Sequence, residues 1–154
     1  MKWIIAIIGF VLAVKGGMDL GSNMGGNTTT KASFAYAEAS RDERAEWLGK
    51  VAKKLESKAK WESAGSRFVS YKETKVRPGA REIQTILKLN SAYNFRLDSK
   101  TLREGLTAAC PHHVRLGLYA NDIKWTQKIV KSNGQTVLNL PITRGSCARY
   151  VSKT

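Results

Sequence analysis

Residues 3–14 are apolar without a break, from Trp3 to Val14, between Lys2 and Lys15. As a helix this run would rise about 18 Å, short of the roughly 30 Å hydrocarbon core of a bilayer. Its length and the preceding lysine fit the h-region of a secretory signal better than a spanning helix. Lys15 can snorkel and pair with Asp19, so a retained anchor stands beside a cleaved signal as an alternative. The best small-x-small match, Ala35-Tyr36-Ala37, lies far downstream for an ordinary cleavage site. Residues 16–37 carry five glycines and the triplet Thr28-Thr29-Thr30 with no helical or strand period. They read as a flexible linker. The expected organisation is a signal or anchor over 1–15, a linker over 16–37 and one domain over 38–154.

The domain opens with Ser40-Arg41-Asp42-Glu43, the pattern of a capping box. Leu48, Val51, Ala52, Leu55 and Ala59 then recur at helical spacing, which predicts an amphipathic helix from 41 to about 62. Lys50, Lys53, Lys54, Lys58 and Lys60 flank the stripe. Lysines beside Trp47 and Trp61 would suit a lipid headgroup layer. The narrow stripe and interspersed glutamates favour a helix packed on its own domain with a solvated lysine face.

Strand patterns follow. Phe68, Val69, Tyr71 and Val76 stand among polar residues, and Arg77-Pro78-Gly79 reads as a turn. Ile83, Thr85, Leu87 and Leu89 alternate with Glu82, Gln84, Lys88 and Asn90, which predicts a half-buried strand. Tyr93, Phe95 and Leu97 alternate again. Asp98 or Ser99 then caps a second helix bearing Leu102, Leu106 and Ala109, with Cys110-Pro111 as its stop.

Asn133-Gly134 is the clearest local feature, because that dipeptide favours a two-residue type I′ hairpin loop. Pairing outward sets Ile129 opposite Leu138, Gln127 opposite Leu140 and Trp125 opposite Ile142. Ile123, Trp125, Ile129, Leu138, Leu140 and Ile142 then share an apolar face, while Lys124, Thr126, Lys128, Asn139 and Thr143 share the other. Pro141 marks an edge or a strand end. The fold class expected is α+β: an antiparallel sheet packed by two helices, with a C-terminal hairpin.

The chain has 154 residues, which is room for one domain. That excludes a two-domain enzyme, and two cysteines exclude a cysteine-dense toxin. In an oxidising compartment the pair Cys110 and Cys147 reads as a disulfide. The rival reading takes Cys110-Pro111-His112-His113 as a zinc, copper or thiol site in a small enzyme. It is weak, since three ligands cluster where structural zinc wants four and no second Cys-x-x-Cys exists. Gly-x-Ser-x-Gly is absent and the carboxylates are scattered. No catalytic residue and no cofactor are expected.

Twenty-six basic residues against twelve acidic give a net charge of +14. Residues 111–154 contribute +6 of it, with Asp122 their sole acid. Lys124, Lys128, Arg144 and Arg149 are candidates for a basic face toward a protein partner or an anionic envelope component. Nucleic-acid binding, as at a DNA-transfer machine, is the weaker reading. It wants stacking aromatics among the bases, and Trp125 falls on the apolar face.

Leu89-Asn90, Tyr93-Asn94-Phe95, Leu97-Asp98, the helix reaching Cys110-Pro111, Gly134 and Cys147 loosely resemble a group of small exported bacterial proteins of unassigned function. The likeness spans about 83–147. Ile123-Lys124-Trp125-Thr126 departs from it, since a tyrosine-rich strand is usual there. The resemblance implies a paired cysteine couple, a small α+β domain and an extracytoplasmic location. It implies no catalytic residues. Together these readings predict a non-enzymatic, periplasmic or inner-membrane-anchored envelope protein that serves as an accessory subunit or binding module.

Overall fold

The computed structural model describes residues 34–90 and 98–151. The expected signal or anchor, most of the linker and the alternation Tyr93-Phe95-Leu97 lie outside the described residues. The elements run α1 (Arg41–Ala64), β1 (Val69–Arg77), β2 (Glu82–Leu89), α2 (Ser99–Arg115), β3 (Lys124–Val130), β4 (Thr136–Ile142) and α3 (Arg144–Val151). Short 3₁₀ turns occupy Tyr36–Glu38 and Pro78–Ala80. No helix among the described residues is long and apolar enough to cross a membrane.

α1 starts at its capping box. Ser40 Oγ accepts the Glu43 amide at 3.2 Å, and Glu43 Oε2 accepts the Ser40 amide at 2.8 Å. The stripe Leu48, Val51, Ala52, Leu55 and Ala59 is buried. So are Lys58 and Glu62, an ion pair one turn apart. Lys58 is therefore not one of the solvated flanking lysines. It lies with the buried residues of the helix.

The packed region also reaches back to Phe34, into the stretch read as linker. Tyr36 is buried, and its hydroxyl donates to the Pro78 carbonyl at 3.0 Å. Its amide donates to Asn121 Oδ1 at 2.9 Å. Arg44 donates to the Tyr36 and Ala37 carbonyls at 2.7 and 2.8 Å. The Arg44 and Arg81 guanidiniums both lie over the Tyr36 ring, at 5.0 and 5.2 Å from its centroid. Trp47 stacks on Phe34 with centroids 5.0 Å apart. A glycine-rich composition ahead of residue 34 conceals this anchor from a compositional reading.

The four strands form one sheet in the order β1-β2-β3-β4. β1–β2 and β3–β4 are antiparallel, but β2–β3 is parallel. The sheet is mixed, which corrects the antiparallel expectation. The connection between β2 and β3 contains α2, and parallel neighbours require a crossover of that kind. The β3–β4 hairpin pairs Trp125 with Ile142, Gln127 with Leu140 and Ile129 with Leu138, the expected register. A shift after Ile129 sets Val130 opposite Thr136, and Asn133 is not at positive φ. The expected two-residue type I′ turn is therefore replaced by a longer loop. Gly134 sits at φ 87°, the left-handed region the turn demands.

Two further corrections concern helices. α2 is capped by Asp98, whose carboxylate accepts the Thr101 amide at 2.8 Å, but it does not stop at Cys110-Pro111. It continues to Arg115. Proline removes one backbone donor, yet the turn around it buries Cys110, His112 and His113. That packing outweighs the lost bond. α3, unforeseen, makes three helices instead of two. It starts where Thr143 and Ser146 exchange bonds: Ser146 Oγ accepts the Thr143 amide at 2.8 Å, and Thr143 Oγ1 accepts the Ser146 amide at 3.0 Å.

One face of the sheet makes the core. Its rows are Val76-Ile83-Trp125-Ile142, Thr74-Thr85-Gln127-Leu140 and Tyr71-Leu87-Ile129-Leu138. The buried apolar residues of α1 and α2, with Cys147 of α3, join the same cluster. Trp125 donates its indole N–H to Thr85 Oγ1 at 3.1 Å. The helices thus lie in one layer, and the second sheet face carries none of that apolar cluster.

Candidate interaction surface

The second face is built by the same alternation, and its composition is polar. Its rows are Arg77-Glu82-Lys124, Lys75-Gln84-Thr126-Pro141, Glu73-Ile86-Lys128-Asn139 and Ser70-Lys88-Val130-Thr136. Five cations thus share a face with two carboxylates. β2 is buried on this side too: Glu82, Gln84 and Ile86 are buried, and of its residues Lys88 alone is exposed. The half-buried expectation for this strand is corrected, because β2 is central and has a neighbour on each side.

The starting end of β2 is electrostatically closed. Glu82 accepts from Gln84 at 2.8 Å and from Thr126 at 3.0 Å, and pairs with Lys124 at 3.2 Å and Arg77 at 3.6 Å. Burial pushes its carboxyl pKa up. The hydrogen bonds from Lys124, Thr126 and Gln84, with the Lys124 charge, outweigh burial and hold it below the usual value. Lys75 pairs with Glu73 at 3.6 Å.

The other end of the strand pair is open in charge. Lys88 and Lys128 occupy diagonal positions on β2 and β3. Neither has an ion-pair partner among the described residues. Ser70 and Asn139 flank them in register, with Ser70 Oγ donating to Asn90 Oδ1 at 2.9 Å. The arrangement suits recognition of negative charge.

The four basic residues singled out in the sequence do not make one patch. Lys124 and Lys128 share the polar sheet face. Arg144 and Arg149 lie on α3, in the helix layer, with the Arg144 guanidinium over the Tyr119 ring at 5.5 Å. Lys75, Arg77 and Lys88 join the sheet face instead. Pairing β1 and β2 outward from Pro78-Gly79 would have located them.

Cys110 and Cys147 are joined in a disulfide, both buried, with Cα atoms 5.4 Å apart. This bond occupies the thiol that an enzyme built on Cys110, His112 and His113 would use. His113 donates its Nε2–H to the Ile123 carbonyl at 2.7 Å. Burial holds the pKa of both histidines down at about 4, with Lys58 and Arg115 adding to the effect at His112. Both are neutral imidazoles inside the fold. Among the described residues no group of three or more His, Cys, Asp or Glu side chains is placed to hold a metal ion. Trp125 is buried and presents no stacking surface to a nucleic-acid base.

Compared with known proteins, the chain matches no family model and no curated protein. It is weakly similar in structure to the pilotin EpsS of the Vibrio vulnificus type 2 secretion system. The TM-score is 0.42 at 17% sequence identity, over 67% of this chain and 96% of that one.

Proposed function

We propose that this chain is a non-enzymatic envelope protein, an accessory subunit or binding module whose polar sheet face engages an anionic protein partner. The observation that carries the reading is the charge-open end of that face. Lys88 and Lys128 stand there without a carboxylate, while Glu82 closes the other end. The Cys110–Cys147 disulfide supports an oxidising, extracytoplasmic location, since such bridges persist there and are rare in the cytosol. Residues 3–14 supply the export signal or the anchor.

The test is binding of the full-length oxidised chain to an acidic polypeptide, polyglutamate, over a range of salt. Affinity should fall as salt rises. Lys88→Glu with Lys128→Glu should weaken it at least about tenfold, because like charge then meets like. Equal binding by the double variant would remove the sheet face from the reading. Thiols that alkylate in the native protein without reduction would remove the compartment.

A further inference from the structure

We infer that the outward side of α1 is a contact surface for an anionic lipid bilayer. Trp61, near the end of α1, is 57% exposed. Its counterpart Trp47 is committed to the fold by its stack on Phe34. Trp61 does not stand alone. On a helix of 3.6 residues per turn, Ser57, Lys54 and Lys50 fall on its side, and Lys53 and Lys60 flank them. Lys50 pairs with Glu46 at 2.9 Å and Lys60 with Glu56 at 2.7 Å. Lys53 and Lys54 have no ion-pair partner among the described residues.

The chemistry separates a bilayer from a protein as the occupant. The core of a protein interface wants a desolvated apolar cluster and is depleted in lysine. Here a single indole is set among lysines and a serine. A headgroup layer accepts that mixture, because tryptophan lodges at the interface and lysines meet lipid phosphates. The glutamates on α1 do not cancel the attraction. Glu43 is held in the capping box at the opposite end of the helix, Glu46 and Glu56 are each tied to one lysine, and Glu62 is buried with Lys58. The packed stripe and the exposed one are different sides of one helix, so α1 serves the core and a surface together. This contact is independent of the sheet-face reading, which concerns the other layer.

The test reads Trp61 locally in the full-length chain mixed with vesicles of phosphatidylglycerol and phosphatidylcholine carrying brominated acyl chains. The Trp61 signal is the difference between the wild-type emission and that of Trp61→Phe. It should be quenched on the anionic vesicles and not on phosphatidylcholine alone. Lys53→Gln with Lys54→Gln should lower the docked-to-free ratio about 25-fold, roughly fivefold per lysine. Salt near 1 M, where screening acts within about 3 Å, should release it. Three results would overturn the inference: no quenching on anionic vesicles, equal quenching on neutral ones, or quenching that ignores the lysine variants. Protection of Trp61 by polyglutamate and not by vesicles would also overturn it, and would assign the stripe to an acidic protein.

Discussion

Removing the disulfide tests how the helix layer is held. Cys110 and Cys147 are 37 residues apart and join the middle of α2 to α3. A crosslink closing a loop of that length restricts the unfolded chain by about 4 kcal/mol at 25 °C. α3 has only eight residues and has little helical stability of its own. Without the bridge it depends on Cys147's neighbours and the Thr143–Ser146 cap. The variant Cys110→Ala with Cys147→Ala should therefore lose roughly 4 kcal/mol, a large share of what a domain of this size has. Urea unfolding of the oxidised wild type, the reduced wild type and the double variant measures this, provided that the m-value is also compared. The reduced wild type and the variant should agree, because both lose the same closure. A loss below about 1 kcal/mol would refute the reasoning and mean that α3 packs without the bridge.

Tyr36→Ala should cost about 3–5 kcal/mol, as for other buried aromatics, whereas Tyr36→Phe should cost only about 1 kcal/mol for the bond to Pro78. Both are readable by thermal unfolding. A mature protein cut after Ala37 would lose this anchor, so N-terminal sequencing should place any cleavage ahead of residue 34. His112 and His113 ionise near pH 4 in the fold against an ordinary imidazole value of 6.5. Above about pH 6.5 neither state is charged and stability should be flat. Between there and about pH 4 the unfolded chain takes up protons that the folded chain refuses. Stability should then fall by up to roughly 1.4 kcal/mol per pH unit per histidine, and His112→Gln should lessen the slope.

Local chemistry was legible in the sequence. Ser40 with Glu43, Asp98 and Asn133-Gly134 each act within a few residues, and the hairpin register followed from alternation on both strands. Three features escaped for different reasons. Strand direction in the β2–β3 pair depends on a partner across a helical crossover, which no local pattern encodes. Pro111 marks a helix stop by backbone preference, but tertiary burial of its neighbours decides otherwise. α3 was signalled by Thr143-x-x-Ser146, where serine takes the position that glutamate holds in the usual capping box. The basic surface was half legible: a run of charge along the chain does not distinguish the sheet face from α3, and only the three-dimensional pairing does.

Strand direction also decides where the surplus charge lies. Because β2 and β3 run parallel, Lys124 meets Glu82 at the starting end and Lys128 lies beyond the carboxylate's reach, opposite Ile86. An antiparallel β3 over the same span would exchange them, bringing Lys128 toward Glu82 and Lys124 toward Lys88. The two lysines therefore have different duties despite sharing a face, and single substitutions should separate them. Lys124→Gln removes a partner from a buried carboxylate and should lower stability by about 1 kcal/mol, a value discounted for the lysine's exposure. It should leave polyglutamate binding within about twofold. Lys128→Gln should leave the unfolding midpoint unchanged, since it breaks no pair, and should weaken binding. Measuring both variants for both properties gives a crossed pattern. If Lys124→Gln proves to be the one that abolishes binding, the anion site lies at the Glu82 end and the assignment of Lys88 and Lys128 fails.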